Sequence, residues 1–221
     1  PVTKLYQVER TQEVYAILDA SRLSRRWVAG AAHEPQLERF LVAAHLLMLA
    51  AQQQGDRFGT AAFAERVATI IRAGRGATHY ATCRDALYRL RPAPVNPDYE
   101  TLATELRLRL RQRALLVFLT DLDDPVIAEH FAASMRLISR QHLVLVVGLL
   151  PPGATPLFSG GRADTLDDVY EQLRGHYAWH DLRETQRVLH AQGINMTLTD
   201  SPTLSLEVVR QYMRVKQRQL L

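Results

Sequence analysis

Glu13-Val14-Tyr15-Ala16-Ile17-Leu18-Asp19-Ala20-Ser21 is a short apolar run that stops abruptly at an aspartate and a serine. An apolar run of this length, bounded by polar residues, reads as a strand buried on both faces, as in a parallel sheet. In open parallel sheets the functional groups gather just past the carboxyl ends of the strands, which is where Asp19 and Ser21 stand. Ala114-Leu115-Leu116-Val117-Phe118-Leu119-Thr120-Asp121 behaves the same way. If the two strands are neighbours, Asp19 and Asp121 meet across the top of the sheet.

Outward from these two runs, strands alternate with helices. The first strand, at 13–20, leads into a loop at 21–34 that carries Arg22, Arg25 and Arg26. Leu37, Phe40, Leu41, Ala44, Leu47, Met48 and Ala51 repeat at helical spacing. Leu46, Leu49 and Ala50 make that helix apolar on its other side, so it is expected to be buried on more than one face. Strands are predicted at 57–67 and 68–72, then a helix at 81–90. Pro92, Pro94 and Pro97 exclude a helix between 91 and 97, because each removes a donor and restricts the residue before it. Asp98 is a good N-cap for a helix running to Arg113, with Leu102, Leu106 and Leu110 as its inner stripe.

The fourth strand is 114–120, and Pro125 suits the first position of the helix that follows, whose Phe131, Met135 and Ile138 face inward. A continuous apolar strand at 142–150 precedes a Pro/Gly-rich loop at 151–163. Thr165 and Asp168 form a capping box for a long helical region ending at Gly193. A last strand at 195–199 and a helix at 203–220 complete the chain. This alternation implies a mostly parallel sheet covered by helices on both faces. The second and third strands have almost no linker between them, so one is an antiparallel edge strand.

The chain has 221 residues, enough for one α/β domain with a substantial core. Residues 1–12 read as a lead-in from an upstream region, and 13–221 as a single domain. A start at Pro1 suggests a piece of something longer. No run approaches the ~20 apolar residues of a membrane span. The formal charge is +4, and Lys4 and Lys216 are the only lysines. That excess suits solubility and an acidic partner rather than nucleic acid. Cys83 is the single cysteine, which rules out an internal disulfide, favours a reducing compartment and places the domain in the cytoplasm.

Asp19-Ala20-Ser21, Thr120-Asp121 and the phrase Gln54-Gly55-Asp56-Arg57-Phe58-Gly59 between them resemble a von Willebrand factor A-type domain. More narrowly, the chain is similar to the carboxyl-terminal part of the bacterial family called "domain of unknown function 58". Tyr6-Gln7-Val8-Glu9-Arg10, the aspartate turn with Arg22, and Tyr212-Met213-Arg214-Val215-Lys216 all fit that family. The resemblance implies an α/β, Rossmann-like fold whose first and fourth strands are adjacent. The expected six-stranded sheet runs three-two-one-four-five-six. The resemblance also implies membrane tethering upstream of this domain, and an adaptor role beside a MoxR-type AAA+ ATPase.

Domains of this type commonly hold magnesium at a metal-ion-dependent adhesion site built from Asp-x-Ser-x-Ser, a threonine and an aspartate. Magnesium demands a near-octahedral cage of oxygens. Asp19, Ser21 and Asp121 match the pattern. Leu23 stands at the second serine position and Pro97 at the threonine position, so the site is degenerate and magnesium is expected to bind weakly or not at all. Ser24, Asp98 and Thr101 are the substitutes within reach. In the plainer reading, Asp19 and Asp121 are loop carboxylates paired with Arg22, Arg25 or Arg26. Partner contacts are assigned to Arg22, Arg25, Asp98 and Asp123, on a non-catalytic protein-interaction domain.

An enzymatic alternative rests on Asp121-Leu122-Asp123, which resembles the nucleophile and acid of haloacid-dehalogenase phosphatases. That chemistry needs a downstream lysine, and only Lys216 follows. His176, His180 and Glu184 are spaced for zinc on a helix, though a solvated helix face explains them as well. Arg107, Arg109, Arg111 and Arg113 read as dipole complementation on a solvated face, or as a surface for acidic lipid or protein. His45 and Cys83 read as packing residues.

Overall fold

The structure is a computed structural model that describes residues 11–27, 34–157, 159 and 165–218. Six strands form one sheet: β1 (Glu13–Asp19), β2 (Arg57–Phe63), β3 (Val67–Gly74), β4 (Leu115–Leu119), β5 (Leu143–Leu149) and β6 (Asn195–Thr199). Their order is β3-β2-β1-β4-β5-β6, with every pair parallel except β2 and β3. The expected order and the antiparallel edge are both present. β1 and β4 are neighbours, with Leu18 opposite Leu119, which puts Asp19 and Thr120 side by side at the carboxyl edge.

Among the described residues seven α-helices flank the sheet: α1 (Gln36–Gln53), α2 (Ala77–Tyr88), α3 (Tyr99–Arg109), α4 (Pro125–Met135), α5 (Ile138–Gln141), α6 (Leu166–Ala191) and α7 (Leu204–Gln217). The period of two in a strand sends alternate side chains to opposite faces. Val14, Ala16 and Leu18 of β1, with Leu115, Val117 and Leu119 of β4, pack under α1, α2 and α7. Tyr15, Ile17, Leu116 and Phe118 pack under α3, α4 and α6. Each central strand is therefore apolar throughout.

Several boundaries differ from the sequence reading. β2 ends at Phe63, not at 67, because the hairpin turns through Ala64–Arg66, where Ala64 N donates to Arg66 O (2.9 Å). α2 starts at Ala77, earlier than expected, just after Gly76 adopts a positive φ of 95°. α3 ends at Arg109 rather than 113, and Leu110 still packs inward at 4% exposure. α1 is not buried on more than one face: Val42, Leu46 and Leu49 are 50%, 40% and 40% exposed. The sheet, α7 and part of α2 pack on the rest of α1, and the face carrying these three residues is open among the described residues. The expected extension of the last helix to 220 and parts of the loops at 21–34 and 151–163 lie outside the described residues, as does the lead-in up to residue 10.

Two sequence phrases far apart in the chain meet at the amino edge of the sheet. Asp56, 1% exposed, accepts from Tyr212 Oη (2.5 Å) and Lys216 Nζ (3.1 Å) at Oδ2, and from Gln12 N (3.1 Å) at Oδ1. Burial and the bond to Asp56 hold the Tyr212 hydroxyl protonated far above its ordinary range. Gly59 faces Tyr15 across the ladder, where a Cβ would lie 2.4 Å from the ring. The glycine makes room for Tyr15, whose Oη accepts from Ala73 N (2.9 Å) on β3.

Candidate functional site

Four loops converge at the carboxyl edge. Ala93 N donates to Ala20 O (2.7 Å), Arg22 N to Val95 O (2.8 Å), and Asp98 N to Ala64 O (2.9 Å). The proline-rich stretch, which has no partner in a helix or sheet ladder, thus closes onto the turns after β1 and β2. Asp19, Ser21, Arg22, Asp98, Asp121 and Asp123 all lie at this end.

Asp19 is fully buried and has no arginine partner among the described residues, unlike the arginine pairing of one of the two sequence readings. Its Oδ1 accepts from Ser21 N (2.8 Å) and its Oδ2 from Thr120 Oγ1 (2.7 Å). Thr120 in turn meets Tyr99 Oη (3.1 Å). Burial raises the Asp19 carboxyl above its ordinary range, and the bonds from Ser21 and Thr120 oppose that rise. Burial and the nearby Asp19 charge keep the Tyr99 hydroxyl un-ionised, well above its ordinary range.

Asp121 does have an arginine. Arg26 Nη1 lies 3.3 Å from Asp121 Oδ2 and 2.5 Å from Asp123 Oδ2, so one guanidinium ties the two carboxylates together. Gln36 Nε2, at the start of α1, adds a bond to Asp121 Oδ2 (3.4 Å). Burial, reinforced by the Asp123 charge, pushes the Asp121 carboxyl up to about 7 although Arg26 pulls it down. Asp121 Oδ1 and Asp123 Oδ1 are buried and have no hydrogen-bond donor among the described residues.

The remaining candidates have local duties. Arg22 Nε donates to Asn96 Oδ1 (2.5 Å). Arg25 is exposed in the 3-10 turn Leu23–Arg25. Asp98 caps α3, accepting from Thr101 N (2.9 Å) and Thr101 Oγ1 (2.7 Å), and the bonds from Thr101 hold its carboxyl below the ordinary range against some desolvation. Ser24 Oγ donates to Ser21 O (3.0 Å), and Ser21 Oγ accepts from Leu23 N (3.3 Å). None of Ser24, Asp98 and Thr101 supplies the oxygens that Leu23 and Pro97 lack.

This arrangement does not fit a magnesium ion. Both Asp19 oxygens and the Ser21 and Thr120 hydroxyls are engaged inside the protein. The outer face of the aspartate pair is occupied by the chain's own cation, Arg26. Such a site offers too few free oxygens for a near-octahedral cage. Among the described residues no group of three or more His, Cys, Asp or Glu is disposed to hold a metal. Of the two helical histidines, His176 is engaged otherwise: its Nδ1 accepts from Leu157 N (3.1 Å), and its ring stacks on Trp179 at 5.8 Å.

Sequence reasoning named Arg26 only as one of three possible partners and missed Gln36 and Tyr99. Three arginines within one loop look alike in sequence, and only the 3-10 turn decides which one points back at β4. Thr120 was visible beside Asp121, but its bond to Asp19 depends on strand register.

A sheet of this order, with helices on both faces and an aspartate-serine turn at its carboxyl edge, defines a von Willebrand factor A-type α/β domain. Solved structures agree. The open conformation of the pilus adhesin SpaC from Lactobacillus rhamnosus GG matches with a TM-score of 0.62 at 8% identity, covering 96% of this chain and 31% of that one. BatB from Bacteroides thetaiotaomicron matches at 0.52 and 14%, covering 94% and 99%. The SpRpn10 VWA domain matches at 0.52 and 11%, covering 91% and 95%. At such identities the likeness speaks for the fold alone. Residues 1–174 match the family described as "Protein of unknown function DUF58", and the chain belongs to that family. None of the curated proteins compared is similar to it. Among the described residues no helix is long and apolar enough to cross a membrane.

Proposed function

We propose that this domain is a non-catalytic protein-interaction module whose contact surface is the carboxyl edge of the sheet, and that its partner is a MoxR-type AAA+ ATPase. The observation that carries the reading is the convergence of four sequence-distant loops on one rigid polar platform, with Arg26 clamping Asp121 to Asp123. Both signs of charge are displayed at this end, by the exposed Arg22 and Arg25 and by Asp123, and mixed charge orients a partner. A von Willebrand-type fold supports an interaction role by analogy. The adhesion site is read as degenerate, with Arg26 in the cation's place. The single, buried Cys83 suits a reducing, cytoplasmic compartment.

Phosphatase chemistry of the dehalogenase kind is poorly supported. Its nucleophile would be Asp121, which is buried, held by Arg26 and raised toward its neutral form. The lysine it needs is engaged with Asp56 at the other edge of the sheet. The interaction reading is tested by surface plasmon resonance against the MoxR-type ATPase of the source cell. Charge reversal at Arg22 and Arg25 is expected to weaken association about tenfold or more, a typical cost for interfacial charge. Reversal at Arg109 and Arg111, at the amino edge, is expected to leave it unchanged. Equal losses would reduce the contact to diffuse electrostatics, and no loss from the first pair would remove the top face as the interface.

A further inference from the structure

α6 is longer than the sheet it covers. Its 26 residues span about 39 Å, whereas the 7 residues of β5 span about 23 Å. The helix crosses the turn after β5 at Gly175, where an added Cβ would collide with Gly153 O. Gly175 is also the first buried residue of α6, so residues 166–174 overhang the carboxyl edge. Leu166, Val169, Tyr170 and Tyr177 are exposed there, Leu166 at 69% and Tyr170 at 62%. Their helical spacing gathers them into one apolar stripe. The overhang carries Asp167, Asp168 and Glu171 against Arg174, a surplus of negative charge.

The opposite face of the sheet carries a surface of complementary character. Between α1 and α2 lies a groove of about 640 Å³. Val42, Leu46, Leu87 and Tyr88 are its apolar lining, and Tyr88 is 78% exposed. Arg84 and Arg91 line it too, against one carboxylate, Glu38. Arg84 pairs with Asp85 (3.0 Å). Arg91 Nη1 donates to Tyr88 O (3.1 Å) and Leu90 O (2.7 Å), and no carboxylate pairs with it among the described residues. With the exposed Arg89, this end of α2 and the turn after it hold a surplus of positive charge.

We infer that the α6 overhang of one copy of this chain docks in the α1–α2 groove of a second copy, with Leu166, Val169 and Tyr170 entering the groove and Asp167 and Glu171 facing its arginines. A helix that lays anchors at i, i+3 and i+4 into an apolar groove is a recurring mode of recognition. Opposite charge on the two surfaces steers and orients the encounter. The overhang and the groove cannot meet within one chain, because α6 covers one face of the sheet and α1 and α2 the other. Two grooves packed against each other would set arginine against arginine, which opposes a symmetric pairing through the groove alone. Each docking event is head-to-tail and leaves one overhang and one groove free for further copies.

The test uses the whole chain and needs no other protein. Sedimentation equilibrium is expected to show reversible association with a Kd on the order of 100 micromolar, as suits a contact below the standard interface size. Tyr170→Lys spoils the overhang and Leu46→Glu the groove, and each variant alone is expected to associate at least about tenfold more weakly. An equimolar mixture of the two is expected to form a dimer that grows no further, because one intact overhang then meets one intact groove. Association in the mixture also shows that both variants are folded. Charge reversal at Arg84 and Arg91 together weakens association several-fold, whereas reversal at Arg109 and Arg111 leaves it unchanged. All four side chains are exposed, so this comparison stands even where Leu46→Glu disturbs the fold. A native chain that stays monomeric up to about 1 millimolar, ten times the expected Kd, overturns the proposal. So does full association by Tyr170→Lys, which would assign the contact to a symmetric pairing of grooves or to another surface. Equal effects of the two arginine pairs would reduce the association to diffuse electrostatics and overturn it as well.

Discussion

At the scale of single residues, Arg26 decides what the site is. Its guanidinium touches Asp121 and Asp123 from the loop after β1 and occupies one oxygen of each carboxylate. Titration calorimetry with manganese is expected to give a Kd in the millimolar range or no heat, since few free oxygens remain. A tight isotherm abolished by Asp19→Ala would mean that other side chains complete a metal site. Asp121 supplies a pH test. Its folded carboxyl lies at about 7, above the ordinary value, so its charged form costs stability above pH 7. That cost fades as pH falls through 7 and is gone below the ordinary value, ~3.9. Asp121→Asn removes it. The variant is expected to be about 1–3 kcal/mol more stable than the native chain at pH 8, with the gap closing toward pH 4 in thermal melts. A variant less stable than native at pH 8 would show that the ion pair with Arg26 outweighs desolvation.

At the scale of elements, α7 is tied to the sheet by Asp56. Asp56→Ala leaves Lys216 and Tyr212 without their acceptor in a closed environment and is expected to cost about 3–5 kcal/mol. Tyr212→Phe removes one bond from a carboxylate that keeps its other donors, at about 1–2 kcal/mol. Urea unfolding followed by circular dichroism separates the two. Equal, small losses would show that α7 is held by its apolar face alone. The strands were legible because runs such as Leu115–Leu119, buried on both faces, need no tertiary context to be recognised, whereas their order followed from the family resemblance. The caps at Asp98 and Thr165 were legible because each bond is local, and Pro125 because its ring suits the first position of a helix. The hairpin turn at Ala64–Arg66 was not, since β3 is half-exposed at the edge and carries no clear period. The open face of α1 was misread because apolar residues at 42, 46 and 49 imply burial only if something lies over them. At the site, Asp19, Ser21 and Asp121 were legible from position after a strand, whereas the choice of Arg26 over Arg22 and Arg25 depends on a 3-10 turn that three similar side chains do not announce.

At the scale of the whole molecule, the two edges of the sheet are chemically distinct. The carboxyl edge gathers loop carboxylates and three arginines of one loop. The amino edge holds the Asp56 network, and at the end of α3 and just beyond it lie Arg107, Arg109, Arg111 and Arg113, all exposed, with Arg109 paired to Glu105. A domain that docks through one edge leaves the other unchanged on binding. The most direct measurement is hydrogen exchange of the whole chain, alone and with the MoxR-type ATPase of the source cell. Segments 20–27, 93–98, 120–124 and 150–155 are expected to gain protection together, while 105–113 exchanges as before. Protection confined to 105–113 or to the open face of α1, with the carboxyl-edge loops unchanged, would contradict the account.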